Sequence, residues 1–411
     1  ALGRGHLAEK IKTVNKVLAD VAERGDDALV DLARQFDDPD FTIDQLRIDP
    51  AEMKAGADRI PADLRKALQR SITQVREYQS HILPKDPEPL RRPGVELGLR
   101  FTPIDSAGLL FPGGKASYPS TLIMLAVPAQ VAGVKRIAGF TPPSKFGRSD
   151  LVLAACHELG LTEVYRAGGP GAVAAMAFGT KTIQPVDKIL GPGNTLSQLA
   201  KRLLFGAVGI DGYLGPSEVL VLADESANPA FVAADLMAQA EHNPGSCFLL
   251  TTSRKLAEAV LTEIEKQLPT LKRADAIRGA LAESSVIIIS NSMDTLIDLS
   301  NRFAAEHLSL QVQNEKEVLK KLTYAGAIFV GPYSPVAAGD YIAGPSHCLP
   351  TNTTARFTNG VSVYEFLTRS SIERYEKVGL AADADAIISL ANAEFLDAHA
   401  NSVRVRISKS K

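Results

Sequence analysis

Residues Lys135–Leu190 read KRIAGFTPPSKFGRSDLVLAACHELGLTEVYRAGGPGAVAAMAFGTKTIQPVDKIL, and this stretch decides the fold. Lys135 to Thr141 predicts a strand, Asp150 to Leu159 a helix, Glu163 to Ala167 a strand, Ala172 to Phe178 a helix and Val186 to Leu190 a strand. Strands separated by whole helices cannot pair as hairpins. They require crossover connections and a parallel sheet covered on both faces.

The same alternation extends in both directions. Upstream, Val95 to Pro103 and Ala107 to Phe111 predict short strands, and the turn Pro112-Gly113-Gly114-Lys115 leads to a helix through Met124, Val127 and Val131. Downstream, Gly191-Pro192-Gly193-Asn194 opens a helix through Leu204. The pattern restarts at Ser217, with strands over 217–223, 247–252, 285–290, 308–312 and 327–331 and helices over 229–241, 256–268 and 295–305. The expected class is therefore α/β, with two Rossmann-like parallel-sheet domains of similar size. A duplication is conceivable, although no residue-level repeat supports it. A helical N-terminal segment over 1–25 carries Ile11, Val14, Val17, Leu18 and Val21 at helical spacing. Residues 26–110 and 217–360 are expected to form one α/β domain and 111–216 the other. Residues 361–411, helical to about Ala398, would form a C-terminal arm.

With 411 residues, 45% of them hydrophobic and 22% charged, the chain can bury more than one core. Its formal charge of -2 offers no basic excess for nucleic acid. The apolar run from Leu122 to Val134 is shorter than the ~20 residues of a membrane span and contains Pro128. Cys156, Cys247 and Cys348 lie far apart among mostly apolar or small neighbours, which reads as reduced, buried thiols in a cytoplasmic protein.

The chemistry-bearing stretch is Asp235-Leu-Met-Ala-Gln239-Ala-Glu241-His242-Asn-Pro. An amide and an imidazole three residues apart share one helical face and can reach one ion. That is half a zinc sphere. Further donors stand in Ala305-Glu306-His307, in Gly339-Asp340-Tyr341 with Ser346-His347, and in Glu394 with His399. Four of the seven histidines fall in these places. Any one of them alone would be better explained as a cap or a solvated surface group. Glu306-His307 also suits acid–base work, because an imidazole titrates near neutrality and can take a proton from an alcohol.

Gly113-Gly114 and Gly193-Asn194 each precede a helix, where free N–H groups favour an anion such as a pyrophosphate. They could equally be ordinary loops of a parallel sheet. Gly169-Pro-Gly171-Ala-Val-Ala174 fits G-x-G-x-x-A formally, yet Asp187 would begin the next strand rather than end it, so it reads as a turn. Neither H-E-x-x-H nor G-x-S-x-G occurs, which removes the commonest zinc peptidase and serine hydrolase readings.

From about Gly108 onward the chain resembles the histidinol dehydrogenase family. The matching stretches are Pro112-Gly-Gly-Lys-Ala-Ser-Tyr-Pro-Ser, Ala177-Phe-Gly-Thr, Gly191-Pro-Gly-Asn, Gly215-Pro-Ser217-Glu, Ala238-Gln239-Ala-Glu-His242, Ala305-Glu306-His307-Leu, Gly339-Asp340-Tyr and Gly344-Pro-Ser-His347. The resemblance implies zinc ligands at Gln239, His242, Asp340 and His399, with Glu306 and His307 as the acid/base pair. It implies that an amino alcohol contacts Ser217, His347 and Glu394 together with the metal ligands and His307. It also implies NAD as cofactor and a homodimer whose C-terminal arms exchange Glu394 and His399.

The departures from the family cluster on the nucleotide side. Leu110 stands where a tyrosine is usual, Gly171 where a glutamine is, Thr195-Leu196 where an aliphatic–aromatic pair is, and Gly212-Tyr213-Leu214 precedes the Gly215-Pro-Ser217 stretch. The expected cofactor positions are Asn194, Leu110, Gly171, Pro112 and Gly113; of the family's three usual contacts, at 110, 171 and 194, Asn194 alone survives. A dehydrogenase that holds its nucleotide differently is the expectation. The rivals are a relative oxidising another small alcohol such as a sulfopropanediol, a zinc hydrolase using Glu306 as base, and a non-catalytic zinc-binding dimer.

Overall fold

The computed structural model describes residues 4–113, 117–242 and 245–408. Gly114 and Lys115 of the first glycine turn, and Asn243-Pro244 after His242, lie outside the described residues. Four helices lead the chain: α1 (Arg4–Arg24), α2 (Asp26–Phe36), α3 (Pro50–Arg59) and α4 (Ala62–His81). Two strands follow, β1 (Leu90–Arg92) and β2 (Val95–Pro103).

The first parallel sheet is built from β3 (Ser106–Leu110), β4 (Arg136–Thr141), β5 (Val164–Arg166), β6 (Lys188–Leu190) and β7 (Gly209–Ile210), in the order β5-β4-β3-β6-β7. Its crossovers carry α5 (Pro119–Ala132), α6 (Asp150–Glu158), α7 (Gly169–Phe178) and α8 (Thr195–Leu204). Local signals fix these helices. Pro119 opens α5 and Gly133, at φ 90°, closes it; the Ser149 side chain caps α6. The central strand Ser-Ala-Gly-Leu-Leu is buried throughout, as a parallel strand covered on both faces must be.

The second sheet comprises β8 (Ser217–Ala223), β9 (Gly245–Thr251), β10 (Ser285–Ile289), β11 (His307–Gln311) and β12 (Ala327–Val330), in the order β10-β9-β8-β11-β12. Its helices are α9 (Pro229–Ala240), α10 (Arg254–Gln267), α11 (Ala274–Ser284), α12 (Met293–Phe303), α13 (Glu315–Lys321) and α14 (Val336–Tyr341). Both sheets thus follow one topology, with the first and fourth strands adjacent at the switch point. Strand periodicity divides the core of the second sheet. Val219, Val221 and Ala223 pack with α9, α10 and α11, while Leu220 and Leu222 face α12 with Leu308 and Leu310.

Three expectations from sequence require correction. Helix α1 is no separate segment, and α2 does not belong with the second sheet. Val14, Leu18 and Val21 of α1 and Leu29 of α2 join one core with Ala172–Met176 of α7 and Leu199 of α8, which makes an outer layer over the first sheet. The domain limit at 110 also moves, because β3 is the middle strand of the first sheet rather than part of the second domain.

The arm differs as well. It begins not as a helix but as β13 (Leu367–Tyr375), which pairs antiparallel with β2 from Leu367↔Pro103 to Tyr375↔Val95 and completes a sheet β1-β2-β13. The chain accordingly divides into one unit running to Ile82 and from Asp105 to Phe366, and a second made of Leu83–Ile104 and the residues from Leu367 onward. The second unit ends in α15 (Lys377–Ala393) and α16 (Asp397–Ile407). No helix among the described residues is long and apolar enough to cross a membrane.

Candidate active site

Strands β8 and β11 lie side by side with His307 opposite Val219, so the segment entering β8 runs beside Glu306. Helix α12 ends at Ala304, which sits at φ 50° in the left-handed region, and two residues later Glu306 and His307 are each 4% exposed. The backbone of Glu218 holds both. Its N–H donates to Glu306 Oε2 at 2.7 Å, and its carbonyl accepts from His307 Nδ1 at 3.1 Å. A carbonyl cannot donate, so Nδ1 carries the proton and Nε2 presents a lone pair. That Nε2 is buried, has no hydrogen-bond partner among the described residues and lies 3.7 Å from Asp340 Oδ1.

Burial sets the charge states. It lowers His307 to about 4, raises Asp340 to about 7 and pushes Glu306 well above the carboxylate range. The His307–Asp340 approach is therefore not an ion pair: the imidazole is a neutral base. Glu218 adds a second buried carboxyl, also raised by burial, whose Oε1 accepts the Asn352 N–H at 2.9 Å. Ser217 stands at the head of β8 and tempers Glu306 through its hydroxyl.

Asp340 projects from α14, and the N-terminal helix α4 steadies the turn behind it. Ser71 Oγ donates to the Tyr341 carbonyl at 2.6 Å, and Gln79 Nε2 donates to the Gly344 carbonyl at 3.2 Å. His347 is fixed at both ring nitrogens, Nδ1 to the Asp340 carbonyl at 2.8 Å and Nε2 to Thr121 Oγ1 at 2.9 Å. Thr121 is buried in the first turn of α5, so this contact ties the first sheet's helix to the second sheet's site. Thr121→Val keeps the volume and removes the hydroxyl. It is expected to cost about 1 kcal/mol, seen as a several-fold rise in substrate KM; an unchanged KM would show that the contact does not orient His347.

Gln239 is buried near the C-terminus of α9, and its Nε2 has no hydrogen-bond partner among the described residues. The helix ends at Ala240, but the Glu241 N–H still bonds the Met237 carbonyl and the His242 N–H bonds the Gln239 carbonyl, so the half-site spacing survives. His242 is exposed, yet desolvation by the surrounding protein lowers its pKa. It is near enough that charge on it would depress both His307 and His347. Among the described residues no three His, Cys, Asp or Glu side chains gather for a metal ion.

The Gln239 amide oxygen, an imidazole and the half-buried Asp340 carboxyl, which has no Lys or Arg partner among the described residues, nevertheless make an N/O donor set that suits a divalent cation such as zinc. The other expected ligand, His399, lies in α16 of the second unit, and Glu394 caps α15 there. Gly245 guards this corner, because a Cβ there would meet the Gln239 carbonyl at 2.2 Å. Gly245→Ala is expected to displace the end of α9 and weaken metal binding at least tenfold, about 1.4 kcal/mol. Zinc titration checks this, and wild-type affinity would contradict it.

On the first sheet, the switch point lies between β3 and β6, where the oppositely directed connections leave a crevice at the strand C-termini. Asn194 is exposed, and its Oδ1 caps α8 by accepting from the Leu196 and Ser197 N–H groups at 3.0 and 2.9 Å. Pro112 is half-buried, and Gly113 is packed so closely that a Cβ would meet Gly147 Cα at 2.9 Å. Leu110 is in the core, and Gly171 lies in α7 with Leu32 of α2 filling the space over it. Both positions are filled by apolar packing. Sequence reasoning missed Thr121, the bridging backbone of Glu218 and the steadying role of α4. Only the Ser217-Glu218 stretch carried a signal, as part of a motif without a role for Glu218.

Residues 4–407 match the model of the family described as histidinol dehydrogenase. The chain is 43% identical over 403 residues to the histidinol dehydrogenase of Rhodopirellula baltica, covering 98% of this chain and 88% of that protein. It is 44% identical over 405 residues to that of Thermosynechococcus vestitus, with 98% and 94% covered. The crystal structure of histidinol dehydrogenase from Elizabethkingia anophelis matches with a TM-score of 0.92 at 36% identity, covering 96% of this chain and 92% of that one.

Proposed function

This chain belongs to the histidinol dehydrogenase family, and from that premise we propose that it oxidises L-histidinol to L-histidine through the aldehyde, using zinc and two NAD. Membership makes it an NAD-dependent dehydrogenase, an oxidoreductase of histidine biosynthesis. The observation that carries the finer reading is the neutral His307 with its bare Nε2 beside Asp340.

His307 takes the substrate's hydroxyl proton at Nε2, and the Glu218 carbonyl on Nδ1–H stabilises the imidazolium that results. The positive charge on protonated His307, whose Nδ1 lies 3.5 Å from Glu306 Oε2, favours the carboxylate form of Glu306, which gives up its proton to solvent water. Ionised Glu306 then activates the water that adds to the aldehyde. NAD, when bound, would take up the hydride of each oxidation. Zinc, held by Gln239, His242, Asp340 and His399, would orient the imidazole and amine of the substrate, a templating role. Ser217, His347 and Glu394 complete the substrate's surroundings.

We place Glu394 and His399 in the site of a second copy. The arm's exposed apolar side chains, Phe395 at 93% and Leu390 at 66%, fit burial in a homodimer. The three free, buried thiols suit a reducing cytoplasm.

Steady-state assay with L-histidinol tests the reading. Two equivalents of NADH should form per histidine released. Faster turnover of another small alcohol would move the substrate assignment, and product formed without nicotinamide would replace it with hydrolysis. Stripping divalent metal with a chelator is expected to abolish turnover and added zinc to restore it; full activity in the metal-free protein would exclude a metal-held substrate.

A further inference from the structure

We propose that Lys201 and Asp211 are a buried positioning pair that shapes the turn Gly191–Asn194 for the nucleotide, an inference that rests on the reading that NAD binds at this edge of the first sheet. Both side chains are fully buried. Together they capture every backbone hydrogen-bonding group of Gly191. Lys201 Nζ donates to the Gly191 carbonyl at 2.9 Å and to Asp211 Oδ1, while Asp211 Oδ2 accepts the Gly191 N–H at 2.5 Å.

Gly191 needs such a clamp. It sits at φ +117°, and a Cβ there would lie 2.0 Å from the Leu110 carbonyl, so the turn folds back directly over the end of β3. Helix α8 supplies a second tie on the same face, three residues before Lys201. Gln198 Nε2 reaches the Gly191 carbonyl at 3.4 Å, and its Oε1 accepts the Leu214 N–H at 3.1 Å. Asp211 and Leu214 belong to the segment that leads from β7 to Ser217, so one network joins the nucleotide turn to the strand entering the catalytic site.

A turn needing only stability could be held by apolar packing, because a buried ion pair is often replaceable by hydrophobic residues of similar volume without loss. The charges here are spent on backbone groups of the turn itself. Their function is to fix the direction of the N–H groups that Gly193 and Asn194 present at the start of α8.

The test compares K201M, D211N and the double variant K201M/D211L in the full-length zinc-loaded enzyme, reading Tm, kcat and the KM for NAD and for histidinol separately. Each single variant leaves an uncompensated buried group and should lower Tm. The double variant should regain most of the lost Tm, yet keep a KM for NAD raised about tenfold, with kcat and the histidinol KM changed less than about threefold. Return of the NAD KM to the wild-type value together with Tm, or an equal rise in both KM values, would overturn the assignment.

Should K201M/D211L fail to fold, K201M/D211N keeps an acceptor for the Gly191 N–H and serves the same comparison. A wild-type NAD KM in that variant would overturn the assignment, and a several-fold rise would support it. Calorimetric titration of the wild-type enzyme with NAD separates the two levels. No binding there defeats the nucleotide reading and the proposal with it, whereas normal binding with unaffected variants defeats the proposal alone.

Discussion

His307→Asn is expected to lower kcat for histidinol oxidation by roughly 10³-fold while leaving the histidinol KM within a few fold. The asparagine amide can still donate to the Glu218 carbonyl, so the head of β11 stays in place. What disappears is the Nε2 lone pair, the basic atom that burial leaves unprotonated and unpartnered. Steady-state NADH formation across the substrate range measures the split. A kcat within about tenfold of wild type would mean another group takes the proton, and a matching rise in KM would mean that His307 mainly binds.

Glu306→Gln is the second large effect, and it should fall on the second oxidation. The glutamine carbonyl oxygen can replace Oε2 as acceptor of the Glu218 N–H, so the fold is retained. A glutamine cannot deprotonate water, and the oxidation of histidinal supplied as substrate should fall by about 10²-fold or more. The first oxidation should fall less, so aldehyde escapes and can be trapped with a carbonyl reagent. Equal losses in both steps would place Glu306 outside the water-activating role.

The regions legible in the sequence are those where one period dominates. The stretch Lys135–Leu190 shows strand and helix signals locally, and the three strands and two helices it predicts are all present. Strand β13 gives no such signal, because eight of its nine residues are exposed and neither face is buried enough to impose alternation. Its partner β2 lies far away in sequence, so neither the pairing nor the true limit of the first domain could be read. Val403-Arg-Val-Arg-Ile alternates like a strand but is helical in α16, where neighbouring residues and not the pattern decide.

The site divides in the same way. Glu306-His307 and Gln239/His242 are short-range pairs, and the spacing shows them. That the Glu218 backbone selects the His307 tautomer, or that Thr121 fixes His347, depends on long-range contacts that leave no periodic trace. Lys201 looks like a solvated helix residue until the fold seals it against Gly191.

Anomalous scattering at the zinc edge from crystals of the zinc-loaded protein is the most direct test of the metal and acid–base geometry. One strong peak per chain is predicted, within about 2.0–2.2 Å of donor atoms from Gln239, His242 and Asp340, with His399 of a second copy as the remaining ligand. A peak elsewhere, or none with those side chains turned away from one another, would contradict it.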